Sequence, residues 1–158
     1  MTALLFLFFV LQSCVGARPT VQIPDYIVVA DGQPNIGGKN LHAFIFENNV
    51  KAPYQIEQFL AKKYNTANYF ERELWVTMHK DKYKLIVYDN SDFEKYFNSA
   101  NYSPINEETK SDQYSNTRKF IAISVINAYN EDCLEERSLL RNITVKYLED
   151  LKNEYISQ

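Results

Sequence analysis

His42, His79, Cys133 and Cys14 are the side chains in this sequence whose chemistry goes beyond packing and charge. An imidazole can serve as a general base or metal ligand, and a thiolate as a nucleophile. Their spacing restricts both uses. The histidines are not an i, i+4 pair and no Cys-x-x-Cys is present. A zinc site would have to be gathered from His42, His79, Asp81 and Asp31, which are dispersed, so no metal and no cofactor is expected. Asp132-x-x-Glu135 has the spacing of a capping box and predicts a helix from Cys133. A thiol at a helix N-terminus is a candidate nucleophile, but Glu131, Asp132, Glu135 and Glu136 surround it and oppose its ionisation. The serines lack a Gly-x-Ser-x-Gly elbow. Gly32-Gln33-Pro34-Asn35-Ile36-Gly37-Gly38 lacks the Gly-Lys-Ser/Thr ending of a phosphate loop and precedes a strand, so it reads as a plain loop. The candidates are therefore His79, His42 and Cys133, with no catalytic set assigned.

Cys14 belongs to other chemistry. Ala3 to Leu11 is an unbroken apolar run. It is too short to span a bilayer, which takes about 20 apolar residues as a helix, and small residues follow it as in a secretory leader. Cleavage after Ala17, at Val15-Gly16-Ala17, would release a soluble extracellular protein. Leu11-Gln12-Ser13-Cys14 resembles the lipobox of bacterial lipoproteins. That resemblance implies cleavage before Cys14, a diacylglyceryl group on its sulfur, and attachment to a bacterial cell envelope. One acyl chain holds a protein at a membrane only marginally, whereas two suffice. If Cys14 is removed or acylated, Cys133 has no partner within the chain. A domain of about 140 residues buries enough surface to stand without a disulfide. The organisation expected is a leader at 1–13 (or 1–17), a tether at 14–25, and a single domain at 26–158.

The net charge of −3 argues against nucleic acid as a partner, since such binding relies on Lys and Arg neutralising phosphates. Twelve tyrosines are many for this length; a Tyr-rich surface can mean binding, but beside the abundant Asn, Lys, Ile and Phe they read as strand residues.

The elements follow from periodicity. Tyr26–Ala30 and Leu41–Glu47 read as strands. Pro53 would open a helix whose apolar stripe is Ile56, Phe59, Leu60 and Tyr64. Leu74–His79 and Tyr83–Tyr88 form a hairpin around Lys80-Asp81-Lys82, with Leu74, Val76 and Met78 facing the core. Ser91-x-x-Glu94 predicts a capped helix to Phe97, apolar at Phe93, Tyr96 and Phe97. Asn98 to Thr117 reads as a long exposed loop. The nearly continuous apolar run Lys119–Ile126 reads as a central strand buried on both faces. A last helix would run from Cys133 to Tyr155 with Leu140, Ile143, Tyr147 and Leu151 inward. The order β-β-α-β-β-α-β-α defines an α+β fold, a two-layer sandwich. Its mostly antiparallel five-stranded sheet carries helices mainly on one face, and the last helix covers part of the other.

These features point to an exported, lipid-anchored, noncatalytic domain that binds a protein or a small ligand. The alternatives are a secreted hydrolase with a histidine general base, and an inhibitor or immunity-type partner using the acidic stretch Asn130–Glu136. The hydrolase requires one histidine to meet a carboxylate in a cleft.

Overall fold

The computed structural model describes residues 19–111 and 118–158. The leader, both cleavage points and Cys14 lie outside the described residues. Among the described residues no helix is long and apolar enough to cross a membrane.

The fold is α+β, built on a five-stranded antiparallel sheet. Its strands are β2 (Ile27–Val29), β3 (Ala43–Glu47), β4 (Glu73–Met78), β5 (Asp81–Val87) and β7 (Phe120–Asn127), in the spatial order β2-β3-β7-β5-β4. β7 lies between β3 and β5, pairing Ile123 with Phe44 on one side and with Val87 on the other. Every residue of β7 is buried, as its nearly continuous apolar pattern requires of a strand covered on both faces. β4 and β5 form the expected hairpin, with Leu74, Val76 and Met78 inward. Its turn is shorter than the sequence suggested. His79 and Lys80, at φ 49° and 81°, form a two-residue mirror-image turn whose twist matches the strands it joins.

Strand alternation sorts the core into two clusters. Phe44, Phe46, Leu85, Ile121, Ile123 and Val125 face α1 (Ile56–Tyr64) and α4 (Arg141–Ile156). Ala43, Ile45, Ile86, Tyr88, Phe120 and Ala122 face α2 (Asn90–Phe97). Phe93 and Phe97 anchor α2 on that second face, and each buried ring is worth about 1.5–3 kcal/mol. The helix on the second face is thus α2 and not the last helix, which packs beside α1.

Several boundaries differ from the sequence reading, each for a local reason. α1 keeps its stripe of Ile56, Phe59 and Leu60 but begins after Gln55 rather than at Pro53. α2 is capped by Asp89, whose carboxylate accepts the N–H of Asp92 at 2.8 Å, so the cap lies two residues before Ser91. α4 starts at Arg141 with no side-chain cap, and the Asp132 carboxylate, the cap expected, is engaged elsewhere. Its buried line is Thr144, Leu148, Leu151 and Tyr155, turned about one position from the stripe expected.

The segment from Asn98 is not an open loop where it is described. A 3₁₀ turn (Ser99–Asn101), β6 (Tyr102–Ser103) and α3 (Glu107–Ser111) follow one another, and Thr109 is buried. The Glu47 carboxylate holds this stretch by accepting the N–H groups of Ile105 and Asn106 at 2.8 and 3.0 Å. Residues 112–117 lie outside the described residues. β1 (Val21–Gln22) pairs in parallel with β6, and Ile23 is buried in the second cluster. Residues 21–23 are therefore part of the folded body, which shortens the segment left to act as a tether.

Candidate functional site

The most organised polar cluster is built on His42 at the entrance to β3. β7 ends at Asn127, whose side-chain oxygen accepts the N–H groups of Tyr129 and Glu131 at 2.9 and 3.0 Å. With Asn130 at φ 60°, this folds the chain sharply back and lays Asp132 against Ile126. Asp132 then faces His42. One carboxylate oxygen accepts both the His42 backbone N–H at 2.7 Å and its ring Nδ1 at 2.8 Å. The other accepts the Leu134 N–H at 2.9 Å. A carboxylate only accepts, so Nδ1 carries a proton, and in the neutral ring Nε2 carries the lone pair. No hydrogen bond among the described residues engages Nε2.

A buried hydroxyl chain supports the histidine from beneath. Ser124 Oγ donates to the His42 carbonyl at 2.7 Å. Its proton is thereby committed, so the Tyr88 hydroxyl 2.8 Å away donates to Ser124. The Tyr88 oxygen in turn accepts the Gln33 N–H at 3.1 Å. Burial pushes the Tyr88 phenol above its ordinary value, although the N–H that Gln33 donates works against this. Gly32 allows the close approach. A Cβ there would fall 2.5 Å from the Tyr88 hydroxyl and 2.6 Å from the Leu41 carbonyl, closer than real Cβ contacts.

His42 lines a cleft of about 640 Å³ between the 30–40 loop and the 130–135 turn. Lys39, Asn130, Glu131, Asp132 and Glu135 share it. Three carboxylates against one ammonium give the cleft a negative balance. Asn35 shapes its rim, its side-chain oxygen accepting the N–H groups of Gly37 and Lys39 at 2.9 and 3.1 Å. A second cleft of about 640 Å³ lies at the N-termini of α1 and α2. Several of its polar groups have partners, although the buried Arg118 Nη1 and Glu57 Oε2 have none among the described residues. Arg118 pairs with Glu57 at 2.8 Å, Asp89 caps α2, and the Tyr155 hydroxyl donates to Asn48 at 3.0 Å. The His42 cleft alone combines an oriented imidazole with an open nitrogen, and it is the candidate site.

The other sequence candidates are placed elsewhere. His79 is exposed in the β4–β5 turn and does not share the cleft. Cys133 is not at a helix N-terminus. It is fully buried in the turn after β7, its N–H donating to the Val125 carbonyl at 2.9 Å. Burial, reinforced by the carboxylates of Asp132 and Glu131, pushes its thiol up to about 12, so it is no nucleophile at neutral pH. Among the described residues no group of three or more potential ligands could hold a metal ion. Asp132, Ser124 and Tyr88 were missed in the sequence. Asp132 looked like a helix cap, and the other two sit inside strands where nothing local marks them.

Comparison with protein-family models, curated proteins and solved structures finds no match for this chain.

Proposed function

We propose that this chain is an exported, lipid-tethered envelope domain that binds a small polar ligand in the His42 cleft without transforming it. The observation that carries the reading is the fixed imidazole: Asp132 holds Nδ1 at 2.8 Å, and Nε2, an acceptor in the neutral ring, has no partner among the described residues at a polar cleft. The negative balance of Glu131, Asp132 and Glu135 over Lys39 favours an ammonium or hydroxyl-rich ligand over an anion. The hydroxyl of Ser124 is tied to the His42 carbonyl, which leaves it unsuited as a nucleophile. The apolar run Ala3–Leu11 and Leu11-Gln12-Ser13-Cys14 support export and tethering.

Spermidine and glucose, as a cation and a polyol, test the binding by amide NMR. Saturable shifts confined to 35–42 and 130–135, lost in His42→Ala, are expected. No response to either probe would remove the reading. For the tether, the chain expressed in a bacterium should partition into detergent and Cys14→Ser should not.

The same 2.8 Å pair at a cleft also meets the requirement set for a hydrolase with His42 as general base. Water would then be the nucleophile. Turnover of chromogenic esters or glycosides that disappears in His42→Ala would favour this second reading.

A further inference from the structure

We infer that the outer edge of β4 is a self-association site, through which two copies of this chain pair antiparallel about Trp75 to extend the sheet. The inference is independent of the His42 cleft.

The register of the hairpin shows which backbone groups are available. Val87 N–H donates to the Arg72 carbonyl at 2.8 Å, and Arg72 precedes Glu73, which pairs with Ile86. Antiparallel strands alternate between residues that bond to the neighbour and residues that point away. Arg72, Leu74, Val76 and Met78 therefore bond toward β5, and Glu73, Trp75 and Thr77 present N–H and C=O groups outward. Among the described residues no strand pairs with that side, since β4 ends the strand order. Natural edges are usually blocked by proline, lysine, an inward charge or a bulge. Glu73-Leu74-Trp75-Val76-Thr77-Met78 has none of these, and its single charge is at one end.

Three observations select a second copy as the occupant. First, a two-fold axis at Trp75 sets Trp75 opposite Trp75 and Glu73 opposite Thr77. These pairings use all the outward groups of both strands, and no like charges stand opposite one another. Second, the two ends of the edge carry complementary charge. Glu71 and Glu73 lie at one end, where Arg72 is already held by Asp89 and Asp92 and Glu73 is paired with Lys84 at 3.2 Å, which leaves Glu71 as the carboxylate facing a copy. Lys80 and Lys82 outnumber Asp81 at the other. Antiparallel pairing brings each acidic end to the basic end of the copy. Third, Trp75 on this strand is 51% exposed, and Tyr69 and Phe70, at 50% and 70%, are exposed in the turn that leads into it. α2 covers the middle of that sheet face and stops short of β4, which contributes no residue to the second core cluster.

Sedimentation of the full chain in mild detergent, with amide hydrogen exchange, tests the inference. Wild type is expected to be a dimer, with the amides of Glu73, Trp75 and Thr77 slowed at high concentration and released on dilution. Thr77→Pro removes an outward N–H without touching the β4–β5 ladder, and Trp75→Lys places like charges on the axis. Each should weaken the dimer about tenfold or more. A chain that is monomeric throughout, a dimer undiminished in both variants, or fast exchange of those three amides at every concentration would each overturn it. Because the exchange measurement uses wild type, it decides the matter even if a variant fails to fold.

Discussion

The hydroxyl chain beneath His42 makes a quantitative prediction. In Ser124→Ala the His42 carbonyl loses its donor and the Tyr88 O–H loses its acceptor, the two bonds of 2.7 and 2.8 Å. Each group stranded away from water costs about 1–3 kcal/mol, so the variant should lose about 2–6 kcal/mol. Tyr88→Phe strands only the half-buried Gln33 N–H and should cost about 1–2 kcal/mol. The double variant strands the His42 carbonyl and the Gln33 N–H, again two groups. It should therefore cost about what Ser124→Ala costs alone, leaving a coupling of about 1–2 kcal/mol. Urea unfolding measures all three, with unchanged m-values as the check that midpoints report stability. Additivity of the single variants to within about 0.5 kcal/mol would refute the chain as drawn.

Two further outcomes are expected. The Cys133 thiol, pushed up to about 12 by burial and by the carboxylates of Asp132 and Glu131, should resist an aromatic disulfide reagent at pH 8 and react only after denaturation; rapid reaction in the folded state would contradict the packing around it. Burial would raise the Asp89 carboxyl, but the Asp92 N–H, the Ser91 hydroxyl and Arg72 outweigh it and hold it below its ordinary 3.8. Its contribution is therefore complete above that value and is lost as pH falls through the lower folded one. Asp89→Ala should cost about 1 kcal/mol at neutral pH through the lost cap, and the gap to wild type should close in acid. A gap independent of pH would show that the carboxylate is not what caps α2.

The sheet was legible where one face decides the pattern. Leu74, Val76 and Met78 alternate with exposed residues, and the nearly continuous run in β7 could only be central. The placement of α2 was not legible, because β3 and β7 are apolar on both faces and either could receive a helix. The helix starts were ambiguous chemically. Asp89 and Ser91 can each cap the same helix, and Asp132 has the spacing of a cap but binds His42 instead. That choice also explains why the site was half seen. His42 stood out as a residue type, but its partner lies 90 residues away, and no local pattern carries that distance. The thiol of Cys133 changed its meaning for the same reason. With the helix beginning at Arg141, its surroundings are core and not a dipole.

The central position of β7 also governs when the fold can exist. The β2–β3 pair and the β4–β5 hairpin share no ladder until residues 120–127 arrive between them. A growing chain thus carries two half-sheets with apolar edges and must wait for a late segment to join them, the kind of long-range closure that slows folding and exposes intermediates to aggregation. Any process that threads this chain through a pore needs to delay a single event, the insertion of one strand, to keep it unfolded until passage is complete.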